Sequence, residues 1–359
     1  MMYTDLRFTG HILWRKRPIH LTFFVTRRCN LRCPFCFYLM QKEAVNSQPE
    51  LALEEIEKIS SSMRSLLWLA FSGGEVYLRK DIVEISKIFY KNNKPSIMLY
   101  PTNGMLPEVI KDITEEILRH CKKSIVVVKL SLDGLYSAHD MLRGSPKSFE
   151  KTMQTYEVLS ELLEKYPNFE LGINTVFCSE NQDNMDEIIE FVSGLNMIRT
   201  HTLSMIRGNI KDESFKNVDI EKYQNAAEKI EKNLKEKMAS IYRFRGARLK
   251  AAQDILQRRL IYQTMLQKRR LIPCYAGKLN LVLTETGDVY PCESLNQKMG
   301  NVRDYDYNMG KVLRSAGAKN VIHSIQKNSC YCSHECYFMT NILFNPRMYP
   351  ALAKEYLQL

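Results

Sequence analysis

Six apolar runs separated by amphipathic segments set most of what this chain can fold into. The runs are HLTFFVT (20–26), LLWLAFS (66–72), SIMLYPT (96–102), IVVVKLSL (125–132), FELGINTVF (169–177) and IRTHTLSMI (198–206). Between them lie segments such as LALEEIEKISSSMRS, KDIVEISKIFYKNN and NMDEIIEFVSGL, with apolar residues at three- and four-residue spacing. The runs read as strands and the segments as helices with one buried face. Repeated β-α units of this size put parallel strands side by side, because each helix carries the chain back across the sheet. The expected fold class is α/β, with a parallel sheet curled towards a barrel or doubly wound.

In such sheets, functional residues gather at the carboxyl ends of the strands. The sequence obeys that rule four times. Cys29, Cys33 and Cys36 follow the first run, SGGE (72–75) the second, PTNG (101–104) the third and SLDG (131–134) the fourth. Gly, Asn and Asp are common turn residues, so each motif alone has a plain structural reading. Four in succession at strand ends do not.

The chain has 359 residues, 10 Cys and a formal net charge of +11. Its N-terminus, MMYTDLRFTGHILWRKRP, lacks an apolar core of signal-peptide length, and no 18-residue uncharged apolar run occurs. A cytoplasmic protein without a transmembrane segment is expected. In a reducing compartment, clustered thiols hold metal more often than disulfides. Cys121 and Cys178 stand alone beside apolar runs and read as core residues. Between Ile241 and Leu271, nine basic residues (Arg243, Arg245, Arg248, Lys250, Arg258, Arg259, Lys268, Arg269 and Arg270) face one acid, Asp254. Such a stripe can attract nucleic acid, a lipid headgroup or an anionic substrate, or it can be a solvated helix face.

From about 212 to 272 the pattern is helical and highly charged. KLNLVLTETGDVYPC then reads as a hairpin of short strands, followed by a Cys-rich tail.

A tetrahedral structural zinc takes four ligands, whereas three thiolates can hold a [4Fe–4S] cubane and leave one iron open. Cys29-x3-Cys33-x2-Cys36, with the aromatic Phe35 before the last cysteine, resembles the signature of radical S-adenosylmethionine (SAM) enzymes. SGGE at the second strand end resembles that family's glycine-rich motif. The resemblance covers about residues 20–206. A zinc loop is the other reading of the cysteines alone.

The resemblance implies that SAM chelates the open iron through its amino and carboxylate groups. Gly73 and Gly74 would admit its methionine moiety and Glu75 would hold its ammonium. Ser131 and Asp133 would face the ribose or methionine part, and Arg143 the carboxylate. Thr102, Asn103 and Asn174 are further candidates, and both residue types also serve in turns. An external ferredoxin- or flavodoxin-like donor would reduce the cluster. Reductive cleavage of SAM would then give a 5′-deoxyadenosyl radical that abstracts a hydrogen atom from substrate.

Cys274, twelve residues, Gly287, four residues and Cys292 match the CX9–15GX4C element of SPASM and Twitch extensions. The tail adds Cys330, Cys332 and Cys336. Five thiolates cannot fully ligate two clusters that each take four, so one auxiliary [4Fe–4S] cluster is expected. Cys274 and Cys292 would be ligands, together with two of the last three; a zinc knot is the alternative. Glu293, directly after Cys292, is a candidate to take a proton from a substrate radical, or it is a turn residue.

The reading is a partial (β/α)6 TIM-like barrel followed by a small Cys-rich α+β Twitch/SPASM-like domain. The expected divisions are an N-terminal extension (1–19), the barrel (20–210), a basic helical connector (211–264) and the auxiliary-cluster domain (265–359). Substrates implied by the resemblance are a peptide undergoing maturation, a small molecule undergoing dehydrogenation, or an anionic sugar, lipid-linked molecule or nucleotide. No leader-peptide-binding segment is recognisable before the barrel, which weighs against a peptide. A nucleic-acid-binding protein with structural clusters would not need the GGE and SLDG motifs. A molybdopterin-type cyclase would end in Gly-Gly, whereas this chain ends KEYLQL.

Overall fold

The computed structural model describes residues 2–3, 5–15, 17–38, 48–236, 241–327 and 330–359. After a 3-10 stretch at Asp5–Ile12 the chain alternates as its periodicity predicts. In order come β1 (His20–Thr26), α1 (Leu53–Ser61), β2 (Trp68–Gly73), α2 (Ile82–Asn93), β3 (Ile97–Thr102), α3 (Pro107–His120), β4 (Ile125–Ser131), α4 (Tyr136–Arg143), α5 (Ser148–Lys165), β5 (Phe169–Phe177), α6 (Met185–Ser193) and β6 (Thr200–Met205). The charged stretch supplies α7 (Ile220–Lys235) and α8 (Ala247–Gln267). Then follow β7 (Asn280–Leu283), β8 (Asp288–Tyr290), β9 (Gly300–Asn301), α9 (Met309–Arg314), α10 (Ala316–Lys327), α11 (Glu335–Leu343) and α12 (Tyr349–Gln358).

Strands β1 to β6 pair in chain order, every neighbour parallel, as crossover helices require. Side-chain alternation divides their residues between two faces. Leu21, Phe23, Leu69, Met98, Val126 and Val128 join the main core with helix residues such as Ile56, Phe89 and Ile117. The alternate positions Thr22, Ala70, Leu99, Val127 and Lys129 line a cavity of about 320 Å3 inside the curl. Cys121 and Cys178 are fully buried, in keeping with core roles.

The TETGD segment does form a hairpin, with β7 and β8 antiparallel. It starts no sheet of its own. β7 pairs parallel with β1, so β7–β9 extend the barrel strands into one nine-stranded sheet. This brings the C-terminal cysteines beside the barrel.

The basic stretch is no simple solvated face. Arg243 donates to the carbonyls of Leu163 (3.0 Å) and Phe169 (2.7 Å), and Arg270 to that of Ile325 (2.7 Å). Lys250 pairs with Asp254, and Arg259 with Glu231 and Glu355. Arg258 is buried. That reading is corrected at Arg258, because α8 packs against α7, α11 and α12 there, whereas Arg243 and Arg259 make these bonds from exposed positions. Among the described residues, no helix is long and apolar enough to cross a membrane.

Candidate active site

The first two strand-end motifs are built onto one another. The β1–β2 ladder slips between Phe24 and Thr26, and past that irregularity the two loops bond directly. Gly74 N–H donates to the Thr26 carbonyl and Glu75 N–H to that of Arg28, each at 2.8 Å. Gly73 lies at φ +119°, a left-handed conformation open to glycine. A Cβ on Gly73 would stand 2.5 Å from the Thr26 oxygen, and one on Gly74 2.0 Å from the Arg28 oxygen. The close approach these glycines permit is therefore to the cysteine loop's own backbone.

Within that loop, Cys36 N–H donates to the Cys33 carbonyl at 3.1 Å. Cys33 is buried and Cys36 half-buried, and both line the barrel cavity with Phe35. Cys29 is half-buried, its Sγ 4.0 Å from Asn103 Nδ2. Burial pushes the Cys33 thiol up to about 11, against the pull of Arg143. Among the described residues, no three His, Cys, Asp or Glu side chains converge to hold one metal ion. Thiolates that each bind a different iron of a cubane need not converge.

Glu75 is buried and carries three hydrogen bonds. Its Oε1 accepts from Thr102 Oγ1 (2.8 Å) and Tyr77 N–H (3.3 Å), and Oε2 from Asn103 N–H (2.8 Å). Burial raises its pKa, and these donors oppose the rise. Asn103 Nδ2 also donates to Asn30 Oδ1 at 2.7 Å. Thr102, Asn103, Glu75 and the cysteine loop thus form one hydrogen-bonded cluster.

Asp133 and Arg143 meet each other. They form a buried ion pair, in which Asp133 Oδ1 also accepts from Val176 N–H at 2.7 Å. Burial pushes Asp133 up from the usual carboxylate range, with Arg143 opposing. Arg143 reaches the barrel cavity, its guanidinium 3.9 Å from Cys33 Sγ and 5.6 Å from the centre of the Phe35 ring. Asn174 lines the same cavity and accepts from Ser204 Oγ at 2.9 Å. Ser131 ends β4, half-buried. Because Asp133 is fully buried, Asp133→Asn should leave an unpaired guanidinium and cost about 3–5 kcal/mol of stability. Urea unfolding measures this, and an unmoved midpoint would show that the pair is not formed.

Cys274, Cys292, Cys330 and Cys332 line a second cavity, of about 120 Å3. Burial pushes Cys292 up to about 12 and Cys332 to about 11. Cys336 lies elsewhere, lining the barrel cavity with Arg207, Glu293 and Glu335.

Arg207 and His334 were not anticipated from the sequence. Arg207 pairs with Glu293 at 3.3 Å and with Glu335 at 3.0 Å, while His334 Nε2 lies 2.8 Å from Glu293. His334 also lines the four-cysteine cavity, so this buried chain joins the two cavities. Burial pushes Glu293 up, but His334 and Arg207 outweigh it and hold the carboxyl at about 2. Glu293, the candidate proton acceptor, thus has Arg207 and His334 as its partners at the barrel cavity.

Residues 23–192 match the Radical SAM superfamily. The chain is 27% identical over 290 residues to the antilisterial bacteriocin subtilosin biosynthesis protein AlbA of Bacillus subtilis, covering 79% of this chain and 57% of that one. It is 26% identical over 304 residues to the AdoMet-dependent heme synthase of Methanosarcina barkeri, covering 81% of each. Native anSMEcpe with bound AdoMet superposes with a TM-score of 0.61 at 19% identity, over 95% of this chain and 96% of that one. That likeness shows the shared fold.

Proposed function

We propose that the chain, whose residues 23–192 match the Radical SAM superfamily, is an enzyme binding a [4Fe–4S] cluster on Cys29, Cys33 and Cys36, with SAM beside it. The observation carrying this reading is the bonding of the GGE turn to the cysteine loop, with Cys33, Cys36 and Arg143 opening on one cavity. The donor set fits, since three thiols leave one iron without a protein ligand. When bound, the cluster and SAM supply a 5′-deoxyadenosyl radical that removes a hydrogen atom from substrate.

The chain's own residues position and shield. Glu75, fixed by Thr102 and Asn103, presents a buried carboxylate to the SAM ammonium. Arg143 keeps positive charge beside the Cys33 sulfur, and Phe35 gives the cavity an aromatic wall. Ser131, at the end of β4, and Asn174, inside β5 and lining the cavity, are the candidates for the ribose or methionine part. Cys274, Cys292, Cys330 and Cys332 hold one auxiliary [4Fe–4S] cluster, and the Arg207–Glu293–His334 chain keeps its approach to the barrel polar. A ferredoxin- or flavodoxin-like protein supplies the electron. The substrate reading is peptide maturation, favoured over small-molecule dehydrogenation by the likeness to a bacteriocin biosynthesis protein.

Anaerobic protein given SAM and dithionite should release 5′-deoxyadenosine; none from protein with full iron content would end this reading. Glu75→Gln keeps the shape but replaces acceptor charge with an amide. The loss of a charged hydrogen bond is on the order of 1.5–3 kcal/mol, or roughly tenfold or more in SAM affinity. Calorimetry reads this directly, and unchanged affinity would remove Glu75 from the site.

A further inference from the structure

We propose that the cavity between β6, α6, α7 and α8 is a binding site for a small oxyanion, a carboxylate or a phosphate, seated on Arg258. This site lies outside the barrel and goes beyond the chemistry proposed above. The cavity holds about 170 Å3 and is lined by Arg258, Arg199, Thr202, Tyr242 and Gln257, with Ile189, Val192 and Ile230 as an apolar wall.

Arg258 is only 5% exposed. Its Nε and Nη2 are buried without a hydrogen-bond partner among the described residues. A guanidinium cannot relieve that situation by losing its proton. The acid in the same wall, Asp254, is already taken by Lys250 and by the Tyr242 hydroxyl at 3.3 Å. Taking a charge out of water without a partner costs several kcal/mol, and a ligand that completes the pair returns stability on binding. The planar fork of arginine fits carboxylate and phosphate oxygens two at a time.

A second guanidinium, that of Arg199, lines the same cavity. His201, in the same wall, is driven down to about 3, first by burial and then by Lys129 and Arg258. Thr202, Tyr242, Asp254 and Gln257 line the barrel cavity as well, so a ligand here would lie against the reaction space.

The test uses the full chain, anaerobically reconstituted, melted in chloride buffer with added sodium phosphate or sodium propionate at matched ionic strength. At least one of the two anions should raise the Tm saturably by several degrees, and the stronger one identifies the oxyanion. Arg258→Met should abolish the shift and melt above the wild-type protein when no anion is added, because an unpaired buried charge is gone. Arg258→Lys, which keeps the charge but loses the fork, should weaken the effective affinity by roughly tenfold. The site is refuted if neither anion gives a saturable shift in the wild type. It is refuted equally if Arg258→Met keeps the shift, or if Arg258→Lys binds as tightly as wild type should Arg258→Met not fold. A wild type that releases 5′-deoxyadenosine without any anion shift sinks this site alone; an anion shift without 5′-deoxyadenosine sinks the radical reading alone.

Discussion

Replacing Cys29, Cys33 and Cys36 together with Ala is expected to lower bound iron and sulfide from about eight of each per chain to about four, and to abolish 5′-deoxyadenosine. Eight corresponds to two cubane clusters and four to the auxiliary cluster alone. The fold should survive. The strands that position the loop are anchored by Leu21, Phe23, Leu69 and Phe71, which remain in the core, and the three thiols make no disulfide. The contacts that hold the loop in place run through the backbone of Thr26 and Arg28, which the substitutions leave intact. Loss of all iron would mean that the two sites are not independent. Retained SAM cleavage by the triple variant would remove the three cysteines from the active site.

What could be read from the sequence, and what could not, follows from the range of the signals. All six barrel strands were legible, because each is a local run whose residues alternate between core and cavity. The strand-end motifs were legible because parallel sheets gather loops at one end. The pairing of β7 with β1 was not: nothing in NLVL says which edge it will join, and only the folded sheet shows that β1 has a free side. Asp133 and Arg143 were both singled out, but their mutual ion pair depends on α4 turning the chain back over the β4 loop. Arg207, His334 and Glu335 carried no motif, and they matter through long-range contacts. Lys129 did carry a signal, a lysine at a cavity-facing position in IVVVKLSL. It is buried, held by Thr202 Oγ1 at 3.1 Å, and lowered to about 7 by burial. Composition left the basic stripe as an attractor of anions or a solvated face, whereas five of its nine basic residues are engaged by carbonyls, carboxylates or one buried cavity.

The five C-terminal cysteines give the other large expected effect, because the sequence left open which of the last three complete the ligand set. Cys330 and Cys332 share a cavity with Cys274 and Cys292, whereas Cys336 opens on the barrel cavity. The first turn of α11 explains the division. Cys336 follows Glu335, whose carboxylate accepts from Met205 N–H at 3.0 Å and pairs with Arg207, so the helix start is fastened to the end of β6. Cys330 and Cys332 precede the helix and remain on the side of Cys274. Cys332→Ser should therefore cut iron from about eight to about four per chain, while Cys336→Ser should leave about eight. Equal losses in both variants would place Cys336 among the ligands. If only Cys336→Ser loses iron, the helix start must rotate away from Arg207 in the loaded protein, and the four-cysteine assignment fails.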